Sequence, residues 1–85
     1  MSHKHEILLH NLLQGPIGAN VHWRDVEAML MHLGARVEPH HGASFHVVLN
    51  GVEGFIHRPH NDPTCTKDEL RHIRDFLESA GVKAA

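Results

Sequence analysis

Apolar positions recur with helical spacing in three stretches of the chain and alternate in one. Over residues 4–13, KHEILLHNLL, the residues Ile7, Leu8, Leu9, Leu12 and Leu13 make a broad apolar helical face. QGPIGAN then stops that helix, with Pro16 between two glycines. HWRDVEAMLMHLG gives the clearest pattern: Val26, Met29, Leu30 and Leu33 fall at i, i+3, i+4 and i+7, and Trp23 extends the stripe by a turn. Arg24, Ala28 and Met31 lie on the other side, and Gly34 is a natural stop. Trp23 is read as core rather than as a ligand-stacking ring.

The middle of the chain is extended. RVEP, residues 36–39, fits a short edge strand ended by Pro39. SFHVVL and VEGFIH flank Asn50-Gly51, the strongest short signal for a two-residue hairpin turn. A type I′ turn pairs Leu49 with Val52, Val47 with Gly54, Phe45 with Ile56 and Ser44 with His57. Side chains alternate across a strand. One hairpin face therefore carries Phe45, Val47, Leu49, Val52 and Ile56, and the other Ser44, His46, Val48, Glu53, Phe55 and His57. The last helix starts at the capping box TKDE, with Thr66 at the cap and Glu69 three residues on. Leu70, Ile73, Phe76, Leu77 and Ala80 form its core stripe before Gly81, while Lys67, Arg71 and Arg74 share a basic one. The order α, α, β, β, β, α puts two amphipathic helices against one face of a small antiparallel sheet, an α+β sandwich of two layers.

Composition narrows the function classes. Eighty-five residues suffice for one modest core, and a formal charge of −2 argues against a strongly basic nucleic-acid binder. A local basic stripe can still hold phosphate while acids elsewhere cancel it. Cys65 is the single cysteine, which rules out an internal disulfide and multi-cysteine zinc sites. It is expected to be a loop thiol, not a nucleophile. No apolar run nears the ~20 residues of a membrane span, and MSHKHEILLH lacks a signal-peptide core, so a cytoplasmic location is expected.

The 11 histidines raise metal binding and acid–base chemistry. His40 and His41 are adjacent and point apart in extended chain, and His57 and His60 flank Arg58-Pro59. Zinc needs three or four convergent ligands, and only His46 and His57 are placed to converge, so no metal or other cofactor is expected. Acid–base chemistry on RNA needs less: an imidazole takes the proton of a ribose 2′-hydroxyl while cations stabilise the phosphate. His46 and His57 supply imidazoles, Arg58 and the Lys67/Arg71/Arg74 stripe supply cations, and Phe55 offers a ring for base stacking. The competing reading is a solvated sheet face beside a solvated helix face. Gly42-Ala43-Ser44-Phe45-His46 looks like a serine motif, but alternate strand positions lie about 7 Å apart, too far for His46 to activate Ser44.

The order of these motifs resembles the HicA toxin family: WRDVEAMLMHLGARV, a G-S-H-type strand start, a hairpin, a strand ending in HRPH, and KDELRHIRDFLESAGV. The resemblance runs from residue 22 onward. It implies a small mRNA-cleaving endoribonuclease of a type II toxin–antitoxin system, with an α-β-β-β-α fold like that of double-stranded-RNA-binding domains and a HicB-like antitoxin as partner. Gly42, Pro59 and His60 match family positions, and His60 joins the phosphate-binding candidates. The family's catalytic histidine falls on Ser44, and serine is no general base near neutral pH. Two readings follow: His46 or His57 takes over the base role, or the scaffold binds RNA or protein without efficient cleavage. The chain accordingly divides into an N-terminal helical extension and linker, 1–21, and a HicA-like domain, 22–83. The extension is a candidate for packing on the domain, covering the sheet or supporting a homodimer.

Overall fold

A computed structural model describes residues 3–15, 21–42, 44–59 and 63–83. The elements run α1 (His3–Gln14), β1 (Val21–His22), α2 (Trp23–His32), β2 (Arg36–Pro39), β3 (Ser44–Leu49), β4 (Val52–His57), β5 (Thr64–Cys65) and α3 (Lys67–Ser79). This is an α+β domain with three helices and two antiparallel sheets, one ordered β2-β3-β4 and one made of β1 and β5. The linker segment 16–20 and His60 lie outside the described residues.

The hairpin forms in the expected register: Leu49 pairs with Val52, Val47 with Gly54, Phe45 with Ile56 and Ser44 with His57. Asn50 and Gly51 both take positive φ, 52° and 80°, the type I′ signature that asparagine tolerates and glycine adopts freely. Val47, Leu49 and Ile56 are buried, so the apolar face is the inner one. Burial at Leu70, Ile73, Phe76, Leu77 and Ala80 follows the α3 stripe, and Trp23, Val26, Met29 and Leu30 do the same for α2. α2 packs on β2 and α3 on β4, all within one apolar cluster.

Both helices start on satisfied donors. The Trp23 amide donates to the Pro63 carbonyl at 2.9 Å, which stands in for the side-chain cap that His22 does not supply. At α3 the capping box closes in both directions, Glu69 N–H to Thr66 Oγ1 at 3.1 Å and Thr66 N–H to Glu69 Oε1 at 2.7 Å. The hairpin tip is tied to the far end of α3, where Asn50 Nδ2 donates to the Ala80 carbonyl at 2.9 Å. Gly54 allows a close approach of α3 to the sheet: a Cβ there would lie 2.5 Å from Cδ1 of Phe76.

α1 rests on α2 and α3, buries Leu9 and Leu12 in the same cluster, and is pinned to α2 by Lys4–Asp25 at 3.0 Å. The β1–β5 ladder, with Val21 opposite Cys65, was not expected from the sequence. Two residues per strand are too few to show alternation. The ladder overturns the loop-thiol reading, because Cys65 is a paired strand residue with 4 % exposure.

Candidate functional site: the open face of the three-stranded sheet

With the inner face covered by helices, strand alternation fixes what the outer face displays. Antiparallel pairing lines its side chains in rows across the strands. Arg36, Val48 and Glu53 form one row, and Glu38, His46 and Phe55 the next. In a third, Ser44 pairs with His57 on one side, while on the other the His40 amide donates to the Ser44 carbonyl at 2.9 Å.

Phe55 is 49 % exposed on this face, an unusual position for a large apolar ring. Two imidazoles approach it, with ring centroids 5.0 Å away for His40 and 5.2 Å for His46. His46 Nε2–H donates to Glu53 Oε1 at 3.1 Å, which leaves Nδ1 without a partner among the described residues. His57 is held through the other nitrogen: Ser44 Oγ lies 3.1 Å from His57 Nδ1, and Nε2 has no hydrogen-bond partner among the described residues. A hydroxyl both donates and accepts, so this contact allows His57 to present Nε2 either as a proton acceptor or as a donor. Ser44 thus meets an imidazole across the ladder (His57) rather than two positions along its own strand (His46).

Charge on the face is mixed. Arg36 Nε pairs with Glu38 Oε1 at 2.6 Å, and Glu53 takes His46. Arg58 is exposed directly after His57 at the end of β4. The other sequence-nominated cations sit elsewhere. His72 of α3 reaches the β4 edge, its Nε2–H donating to the Phe55 carbonyl at 2.9 Å. At about 100° per residue, Arg71, Lys67 and Arg74 are turned roughly 100–160° round the helix from that edge-facing position. Arg71 also pairs with Asp68 at 3.2 Å and Arg74 lies 3.9 Å from Asp75. The structure therefore brings Ser44, His46, Phe55 and His57 together on one face, sets Arg58 next to it only in sequence, and leaves Lys67, Arg71 and Arg74 on a separate surface. His60 is outside the described residues.

Two residues were missed. His40 continues the alternation of Arg36 and Glu38 onto the open face, and extending β2 past Pro39 finds it. His72 lies on a helix flank that hydrophobic periodicity does not mark. Cys65 is no competing nucleophile: burial pushes its thiol up from 9.0 to about 11, and Glu69 adds to the shift. Among the described residues no group of three or more His, Cys, Asp or Glu side chains is placed to hold a metal ion, and no helix is long and apolar enough to cross a membrane. A cleft between the ends of α1 and α3, lined by Leu13, Gln14, Glu78 and Val82, takes no residue from the sheet.

Comparison of the chain with family models, curated proteins and solved structures finds no match. The face must be judged on its own chemistry.

Proposed function

We propose that the open sheet face binds RNA and cleaves it without a metal, as a HicA-like mRNA interferase in the cytoplasm. The observation that carries this reading is the exposed Phe55 ring, approached by His40 and His46, beside a His57 whose Nδ1 is held by Ser44. The order α2-β2-β3-β4-α3, with both helices on one side of an antiparallel sheet, supports an arrangement like that of double-stranded-RNA-binding domains.

A base stacks on Phe55, which sets the adjoining phosphodiester over the diagonal between His46 and His57. Diagonal cross-strand neighbours stand about 7 Å apart, enough for a phosphodiester to lie between two imidazoles. One imidazole removes the 2′-hydroxyl proton as the oxygen attacks phosphorus. The other protonates the departing 5′-oxygen, leaving a 2′,3′-cyclic phosphate and a 5′-hydroxyl. Arg58 is the nearest cation in sequence to offset the charge that builds on the phosphoryl oxygens. The Lys67/Arg71/Arg74 stripe serves RNA that continues past the sheet. A HicB-like antitoxin inhibits by covering the same face.

One observation favours a second reading, a binding module without chemistry. Glu38 and Glu53 share the face, Glu53 restrains His46, and serine occupies the position where the family resemblance expects the catalytic histidine. Incubation of labelled RNA in excess chelator, with His46→Ala and His57→Ala in parallel, separates the two. Cleavage lost in at least one variant supports the interferase. Cleavage unchanged in both removes these histidines from the chemistry. Binding without cleavage, weakening steeply with salt, leaves the module.

A further inference from the structure

Among the described residues the three-stranded sheet ends at β4, and the hairpin geometry fixes which backbone groups that edge presents. In a two-residue type I′ hairpin the residues flanking the turn exchange both hydrogen bonds, and every second pair repeats this. Leu49/Val52, Val47/Gly54 and Phe45/Ile56 are thus the bonded pairs. The N–H and C=O groups of Glu53, Phe55 and His57 point outward, away from β3. The bond from His72 to the Phe55 carbonyl agrees with this phase, and among the described residues it is the partner found along this edge.

Natural edge strands are usually guarded by lysine, proline or a bulge. Residues 52–57 have none of these, and Gly54 and Phe55 keep the strand narrow and apolar at its middle. We infer that this edge pairs with the same edge of a second copy of the chain, antiparallel about a twofold axis at Phe55, joining two three-stranded sheets into one of six strands. Charge complementarity selects this register. Centred on Phe55, the pairing sets Glu53 of one copy opposite His57 of the other, twice by symmetry, with the two Phe55 rings side by side between them. Centring on Glu53 sets carboxylate against carboxylate and runs Phe55 into the partner's turn. Centring on His57 sets imidazole against imidazole and places Pro59, which has no N–H, opposite Phe55. His72 need not leave, since a carbonyl oxygen has two lone pairs and the partner's N–H arrives in the sheet plane while His72 approaches from the helix layer. Asp68 and Asp75, on the same flank of α3, already have Arg71 and Arg74 beside them, which limits repulsion between the two helices.

Pairing changes the site as well as the oligomeric state. Glu53 of one copy arrives beside the His57 ring of the other, whose Nδ1 is held by Ser44, so each histidine gains a carboxylate that its own chain does not give it. The dimer does not depend on the RNA reading, and its test uses no RNA.

Sedimentation equilibrium of the full chain reads it directly. A dimer is expected, weakened about tenfold by Glu53→Lys and likewise by His57→Glu, because each loses two symmetry-related cross-strand pairs. The double variant Glu53→Lys/His57→Glu restores dimerisation by exchanging the partners. Circular dichroism checks that each variant is folded. In the wild-type chain, amide exchange at Glu53, Phe55 and His57 should slow as protein concentration rises. A monomer at every concentration, a dimer indifferent to both charge changes, or edge amides whose exchange ignores concentration would each overturn the inference.

Discussion

Replacing Gly54 by alanine tests the interface between α3 and the sheet where the Phe76 ring lies against the strand backbone. A Cβ at this position would lie 2.5 Å from Cδ1 and 2.8 Å from Cε1 of Phe76. Unstrained carbon pairs sit about 3.5–4.0 Å apart, so the ring must retreat by about 1 Å. It has little room, because Phe76 is buried with Ile73 and Leu77 on the same stripe. Nor can β4 yield easily, since Gly54 is paired with Val47 in the middle of the ladder. Overpacking of this kind costs about 1–3 kcal/mol. The φ of Gly54 is not positive, so alanine suits the backbone and recovers about 0.4–1 kcal/mol through a less flexible unfolded chain. The expected net loss is about 1–2 kcal/mol, which for a domain of this size lowers Tm by roughly 5–15 °C. Thermal unfolding followed by circular dichroism measures it, with Gly54→Ala/Phe76→Leu as the companion. The smaller side chain should return part of the loss, because the two sites act through one contact. An unchanged or higher Tm for Gly54→Ala would show that Phe76 is not what makes glycine necessary there.

Three further outcomes follow from features elsewhere in the fold. Asn50→Ala removes the side-chain bond to the Ala80 carbonyl and puts alanine at a φ of 52°, so a loss of about 1–2 kcal/mol is expected by urea titration; a smaller loss for Asn50→Gly would separate backbone strain from the lost bond. Cys65 should resist alkylation by iodoacetamide at pH 8 in the native protein and react readily in denaturant, since a thiol raised to about 11 carries almost no thiolate there. The same shift sets the sign of a pH effect. The unfolded thiol loses its proton near 9.0 and the folded one near 11, so the contribution of Cys65 to stability is intact below pH 9 and falls as pH rises towards 11. Equal labelling rates in native and denatured protein would contradict the burial of the thiol.

Local signals in this chain were strong where one residue type satisfies one geometric demand. Asn50-Gly51 specified a turn with two positive φ angles, and that turn fixed the register of every pair from Leu49/Val52 to Ser44/His57. Because strand side chains alternate, register then determined which of the two faces each residue occupies. The Ser44/His57 contact is a consequence of the turn, and the pairing behind it is legible from Asn50-Gly51 alone. The capping box at Thr66 and Glu69 placed the first turn of α3 in the same way, and the stripe from Leu70 to Ala80 set its inward face.

What the sequence could not supply is how one element's rotation relates to another's surface. The Lys67/Arg71/Arg74 stripe is visible as a stripe, but its direction relative to the sheet depends on which flank of α3 lies at the β4 edge. His72 settles that through a single hydrogen bond to the Phe55 carbonyl, which no periodicity encodes. The short β1–β5 ladder is hidden for a related reason. Its strands are brought together by the chain on either side of α2 and the hairpin, and Cys65 becomes buried through that closure, not through any pattern around it. The site inherits both kinds of information. Its histidines and phenylalanine follow from the turn, whereas its supply of cations depends on helix rotation. With Lys67, Arg71 and Arg74 turned away, the face holding His46 and His57 has Arg36 set against Glu38 and Glu53. On the proposed RNA reading, recognition on such a face rests on the stacked ring more than on charge. Truncating Phe55 should therefore weaken RNA binding more than neutralising Arg71 does.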